Sequence, residues 1–186
     1  MNAYEVQIMP CQTQWPAQFE RIATPIRRSL QDIAVRVEHI GSTSIPGCAA
    51  KPIIDIQISV TDLQSLEGYV HPLRELGWMH RADNPDLTKR FFRESPGCER
   101  THIHVRQAGS WSEQFALLFR DYLRCHPEER DAYADMKLRL AEQYRHDRHG
   151  YTDAKSPFIW SVMQKASEWS QLTGWSTGRG TDQGRS

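Results

Sequence analysis

Three groups of residues in this sequence could do chemistry together: Gly41-Ser42, Asp55, and the pair His102 and His104. Glycine lets a backbone approach a ligand closely, and serine adds a hydroxyl donor. If a short helix starts after Ser42, its free N–H groups and dipole make an anion site. Asp55 lies in the run IIDIQISV, flanked by isoleucines. A carboxylate so placed needs a partner, because an isolated buried charge is costly. A metal ion would supply one; so would Lys51 or Arg36. His102 and His104 are two apart in THIHV. On a strand both rings project from one face, with Ile103 and Val105 on the other. Imidazoles so placed can ligate a metal, move a proton or donate to a phosphate. The same spacing also suits two ordinary half-exposed polar residues, and Gly41-Ser42 also suits a plain turn.

The elements that must position these groups are legible from periodicity. Trp15, Phe19, Ile22, Ile26 and Leu30 fall on one stripe and predict a helix over 15–30. Pro16 suits its first turn, whereas Pro25 should kink it or end it early. Val35 to Ile40 reads as a strand that runs into the small-residue loop Gly41 to Ala50. A second strand is expected over 53–60, with Ile54, Ile56, Ile58 and Val60 on one face and Ile53, Asp55, Gln57 and Ser59 on the other. A helical stretch follows over 62–76, interrupted at Pro72 and stopped at Gly77. Further strands are expected at 78–81, 89–94 and 101–106. The last third is helical. Phe115, Leu118, Phe119, Tyr122 and Leu123 form one stripe, Pro127 opens a new helix, and Ser156-Pro157 caps the last one. Arg145 to Gly150 (RHDRHG) could be read as a metal tract but reads better as a polar helix end. Trp15, Trp78, Trp111, Trp160 and Trp169 read as core or helix-edge packing.

Composition bounds the functional class. The chain has 186 residues, with 23 lysines plus arginines against 23 aspartates plus glutamates, a formal net charge of zero. A protein that grips duplex nucleic acid by bulk charge would carry a basic surplus, so there is no clear nucleic-acid signal. The 39% hydrophobic and 25% charged content is that of a globular domain. No run of about 18 apolar residues predicts a membrane span. The N-terminus lacks the basic start and apolar stretch of a signal peptide, which points to the cytoplasm. Cys11, Cys48, Cys98 and Cys125 form no CxxC pair, so reduced thiols are expected and a zinc ribbon is not. Residues 1–172 are expected to form one domain. Residues 173–186, rich in glycine, serine, threonine and charge, read as a floppy tail.

Several cations could converge on phosphates. Arg120 and Arg124 are four apart on one helix and share a flank, with Asp121 placed to orient one of them. Lys137 lies on the next helix and Lys155 precedes the last. Arg90 and Arg93 flank Phe91-Phe92. Arginine would give forked contacts to phosphate. Any one of these is equally an ordinary solvated charge.

The segments HIGSTSIPG (His39 to Gly47), KPIIDI (Lys51 to Ile56) and HIHV (His102 to Val105) resemble those of the GrpB family. The likeness resumes at FRDYLR (Phe119 to Arg124) and continues through Tyr133, Lys137, Tyr151, Lys155 and the last helix. It covers nearly everything except the tail. The resemblance implies an α+β fold, a nucleotidyltransferase-like mixed β-sheet flanked by helices, with a C-terminal helical block. In the wider nucleotidyltransferase superfamily a glycine-serine motif holds nucleotide phosphates, and an aspartate pair on the next strand holds magnesium. Gly41 and Ser42 match the first element and Asp55 matches the first acid.

At the second acid position stands Gln57, and a neutral amide is a poor ligand for a hard cation. Glu38 or His104 would then complete a Mg2+ site with Asp55. On this reading Asp55, His102 and His104 are catalytic. Gly41, Ser42, Thr43, Lys51, Arg120, Arg124 and Lys137 hold a nucleotide or another phosphorylated small molecule. The function implied is metal-dependent transfer of nucleotidyl or phosphoryl groups. The alternative is a non-catalytic phospho-ligand module or folding accessory, as in family members fused behind dephospho-CoA kinase domains. His39 either joins the other histidines across the sheet or packs beneath the loop.

Overall fold

Trp15, Phe19, Ile22, Ile26 and Leu30 recur at helical spacing, and in the computed structural model they lie on the buried side of helix α1 (Trp15–Leu30). Residues 5–178 are described; the first four, and the expected tail from residue 179 onward, lie outside the described residues. Pro25 does not end α1, which runs on to Leu30. A proline inside a helix costs about 3 kcal/mol. Beyond it, Ile26 and Leu30 are 0% and 1% exposed, and burying such side chains is worth roughly 1.5–3 kcal/mol each. Burial outweighs the lost hydrogen bond. Pro25→Ala is accordingly expected to raise stability by about 1–3 kcal/mol. The urea midpoint should rise, and an unchanged or lower one would show that the helix is built around the proline.

After α1 come strand β1 (Ala34–Ile40), strand β2 (Ile54–Val60), helix α2 (Glu67–Glu75) and strands β3 (Trp78–His80), β4 (Arg90–Glu94) and β5 (Thr101–Gln107). Helices α3 (Trp111–Cys125), α4 (Pro127–Gln143), α5 (Arg148–Ala154) and α6 (Ser156–Thr173) complete the chain. This is the expected α+β arrangement of a mixed sheet followed by a helical block. By its internal contacts the chain forms two compact units.

The first unit comprises residues 12–44 and 53–114. Its five strands lie in the order β1-β2-β5-β4-β3. β2 and β5 run parallel, and every other neighbouring pair is antiparallel. Ile54, Ile56, Ile58 and Val60 join Ile103, Val105 and Phe92 in a buried apolar face. Against it, Phe19 of α1 stacks on His39 at 4.8 Å and Tyr69 of α2 meets Phe92 edge-on at 6.4 Å. Side chains alternate across a strand, so Asp55, Gln57 and Ser59 occupy the opposite face. Gln57 and Ser59 are nevertheless fully buried. The polar face is therefore covered as well, and its groups need partners.

The second unit comprises residues 5–11, 45–52 and 115–178. Leu118, Tyr122 and Leu123 of α3, Tyr133 and Met136 of α4, and Val162, Met163 and Ala166 of α6 form one core with Ile45 and Cys48. The RHDRHG tract is more than a helix end: Asp147 Oδ1 accepts from the Gly150 N–H at 2.9 Å and caps a new helix, α5. Past α6, Gly174 takes a left-handed φ of +64°, and the Trp175 indole donates to Asp121 Oδ2 at 3.0 Å. Among the described residues no helix is long and apolar enough to cross a membrane.

Candidate functional site: a carboxylate between two histidines

Strand register assembles the site. β5 pairs with β2 so that Asp55 lies opposite His102 and Gln57 opposite His104. On the other side of β2, Ile40 lies opposite Asp55 and Glu38 opposite Gln57. Opposed residues share a face, so the two imidazoles and the carboxylate converge. His102 Nδ1 lies 3.2 Å, and His104 Nε2 3.3 Å, from the same Asp55 Oδ1. The side chains of Asp55, His102 and His104 are 26%, 12% and 15% exposed, so the cluster still reaches solvent. Phe91 of β4, which lies opposite His104, contacts both rings at centroid distances of 5.3 and 5.2 Å. Asp55 thus has the histidines as partners, and Arg36 pairs instead with Glu113.

Electrostatics fixes the charge states of Asp55 and His104. Burial alone would raise the Asp55 carboxyl, but hydrogen bonds to His102 and His104, and their charge, outweigh it and hold the group well below the usual carboxylate range. His104 is pushed down to about 4, mainly by burial, against the pull of Asp55. At neutral pH His104 is therefore a neutral imidazole beside an anionic carboxylate. Its N–H faces the carboxylate, and its far nitrogen, Nδ1, is buried with no hydrogen-bond partner among the described residues.

The glycine-serine loop meets this cluster directly. Gly41 has φ +70°, a left-handed conformation that favours glycine. A Cβ there would lie 2.7 Å from Asp55 Oδ2, so only glycine lets the loop and the carboxylate come this close. The chain then makes a three-residue 3-10 turn, Ser42–Ser44. That is too short for the helix dipole envisaged from the sequence. Ser44 Oγ donates to the Gly41 carbonyl at 2.6 Å, and Thr43 Oγ1 donates to the Ile53 carbonyl at 3.2 Å. His39 Nε2 lies 3.0 Å from Thr43 Oγ1. His39 thus packs beneath the loop, on the face away from Asp55. Ser42 is half-buried, and its hydroxyl makes no hydrogen bond among the described residues.

Gln57 is held in place by a second network. Arg106 Nη1 donates to Gln57 Oε1 at 2.6 Å, and Gln57 Nε2 donates to the Glu113 carbonyl at 3.3 Å. The Glu113 carboxylate, fully buried, accepts from Arg36 and from the Gly109 N–H at 2.6 Å. The sequence reading missed this network. Its signal was present: Ser110-x-x-Glu113 is a capping-box pattern, and the Ser110 hydroxyl accepts from the Glu113 N–H at 3.3 Å.

The donor set bears on which cation would fit. One carboxylate oxygen and two imidazole nitrogens lie within 4.8 Å of one another. Glu38, expected to complete the set, is not among them, because the register places it across from Gln57, one step away. His102 takes its place. Mg2+ prefers oxygen ligands in a near-ideal octahedron. Two nitrogens and one oxygen do not match that demand.

Lys51, Arg120, Arg124 and Lys137 belong to the helical unit, each with its own setting there. Lys51 Nζ sits 4.1 Å above the Tyr151 ring. Arg120 donates through Nε to Asp121 at 2.7 Å, and Arg124 lies 3.6 Å from the same carboxylate. Lys137 is buried and donates to the Ala49 carbonyl and, at 3.2 Å, to Cys48 Sγ. Burial pulls its pKa down and raises that of the Cys48 thiol. Arg120 and Lys137 are thus interior groups, not solvated helix charges.

Comparisons with known proteins agree on the family. The chain matches the GrpB protein family over residues 5–165. It is 37% identical over 163 residues to a UPF0157 protein of Halalkalibacterium halodurans, covering 87% of this chain and 83% of that one. A crystal structure of conserved protein GrpB from Enterococcus faecalis superposes with a TM-score of 0.79 at 30% identity, over 88% of this chain and 99% of that one. A dephospho-CoA kinase of Mycolicibacterium paratuberculosis is 31% identical, over 91% of this chain but only 48% of that protein. Cid1 in complex with a UTP analogue is more distant, with a TM-score of 0.48 at 12% identity over 74% of this chain and 42% of that one. The chain belongs to the GrpB family.

Proposed function

We propose that this chain is a divalent-cation-dependent transferase of nucleotidyl or related phosphoryl groups, acting where Gly41-Ser42 meets Asp55. The observation that carries the reading is the close approach of Gly41 to Asp55, which leaves no room for a Cβ, with Ser42 next in the chain and its hydroxyl without a hydrogen bond among the described residues. Ser42 donates to a phosphate oxygen, while the missing side chain of Gly41 leaves the room in which the Asp55 carboxylate sits against the loop. A bound cation supplies positive charge against the phosphate oxygens. Asp55, held ionised, acts as a fixed negative group and not as a proton carrier. His104, at about 4, is also a weak base at neutral pH. Catalysis at such a site is mostly positioning and electrostatics.

The test is incubation of the full chain with each nucleoside triphosphate, a divalent cation and candidate acceptors, with products read by mass spectrometry. Asp55→Asn is expected to slow product formation about 100-fold or more. No product under any condition, together with unchanged nucleotide binding in Asp55→Asn, would remove the reading.

A second reading is favoured by Gln57. Its amide is committed to Arg106 and the Glu113 carbonyl, so the second acid position is occupied by a structural group. A phospho-ligand module without turnover would keep that arrangement. The match to half the length of a dephospho-CoA kinase fits an accessory role of this kind. A thermal-shift screen of nucleotides, coenzyme A fragments and phosphosugars separates the two. Cation-independent stabilisation by one ligand supports the module; cation-dependent product formation rules against it.

A further inference from the structure

We propose that Asp55, His102 and His104 form a binding site for a first-row transition-metal cation such as Zn2+, in preference to Mg2+. The proposal deepens the transferase reading, on which its functional meaning rests, but the binding itself is measured without turnover.

Two of the three donor–donor distances are those of ligands around an ion, and all three donors lie within 4.8 Å of one another. Metal–ligand bonds of about 2.1 Å place neighbouring donor atoms roughly 3.0–3.4 Å apart, between the octahedral and tetrahedral limits. The distances from Asp55 Oδ1 to His102 Nδ1 and His104 Nε2 are 3.2 and 3.3 Å. All three donors come from adjacent, hydrogen-bonded strands, so the frame is rigid. The residues also hold one another's orientation: Phe91 contacts both imidazoles, and Gly41 backs the second oxygen of Asp55. Two imidazoles and one carboxylate, with the remaining positions open, are the donor set that borderline cations take and that hard magnesium does not.

The far nitrogens set the strength of the site. Metal-bound imidazoles ordinarily donate their other N–H to an acceptor, and losing such partners costs about 10–100-fold in affinity. Here Nε2 of His102 and Nδ1 of His104 are buried without one among the described residues. The ion is therefore held less tightly than in a buttressed site, and exchanges.

The experiment uses the full chain, stripped with a chelator and titrated separately with Zn2+, Mn2+ and Mg2+ by calorimetry. The expected result is one Zn2+ per chain, with Mg2+ at least about 100-fold weaker. Asp55→Asn, His102→Gln and His104→Gln should each weaken Zn2+ binding by about 10-fold or more, with circular dichroism confirming the fold. His146→Gln, outside the cluster, should leave it unchanged. Equal affinity for Mg2+, no uptake, or uptake indifferent to all three substitutions would overturn the site. If a variant does not fold, Co2+ loaded into the unsubstituted protein decides. Ligand-field bands without thiolate charge transfer support the site; thiolate charge transfer or no bands overturns it. Zn2+ uptake with no product from any triphosphate leaves the site standing and removes the transferase. Product with Mg2+ alone and no Zn2+ uptake does the reverse.

Discussion

Gly41→Ala is expected to lower stability by about 2–5 kcal/mol and to weaken cation binding at Asp55. Two costs add. A residue with a Cβ at φ +70° pays roughly 1–2 kcal/mol for the left-handed backbone. Its methyl would also lie 2.7 Å from Asp55 Oδ2 and 3.0 Å from Asp55 Cβ. Forcing such an overlap costs about 1–3 kcal/mol where the neighbour is packed. Asp55 is packed, between two rings and a strand partner, so it cannot retreat without leaving the histidines. The measurements are the urea midpoint and the Zn2+ titration on the same sample. A variant that loses less than about 1 kcal/mol and binds Zn2+ normally would show that the loop does not shape the site.

Glu113→Ala should destabilise by about 3 kcal/mol. The carboxylate is fully buried and serves Arg36 and the Gly109 N–H together. Removing it leaves a largely buried guanidinium and a backbone donor without their acceptor, and the unpaired partner dominates the cost. Pairing Glu113→Ala with Arg36→Met should therefore recover part of the loss in chemical denaturation. A double variant no more stable than Glu113→Ala alone would mean that the Gly109 contact carries the effect.

Much of the sheet's polar face was legible in the sequence, and the reason is its period of two. The alternation in IIDIQISV set Asp55 and Gln57 on one side, and THIHV did the same for His102 and His104. Neither pattern says which residue of β5 stands beside Asp55. That depends on parallel pairing across 47 residues of chain, which local sequence does not encode. The same gap explains Glu38. On β1 it shares the face, but the antiparallel register presents Ile40 to Asp55 instead. Pro25 does not end its helix early, because the burial of Ile26 and Leu30 offsets a penalty that is all a local reading sees. The interior placement of Arg120 and Lys137 was hidden for a related reason. A cation on a helix reads as solvated until its partners, Asp121 for one and the Ala49 carbonyl for the other, are known.

The strand order also governs how the molecule can be made. β5 is the last strand among the described residues, yet it lies in the middle of the sheet, between β2 and β4. A nascent chain emerging from the ribosome with Gln107 still inside the exit tunnel has two open ladder edges, one on each strand. Unpaired edges of this kind invite intermolecular pairing. Sheet and carboxylate–imidazole cluster are completed in a single event, when one late segment slots into place. Conditions that slow translation just after residue 107, while β5 is still inside the tunnel, should therefore show up first as insoluble product, before any change in the fold of what remains in solution.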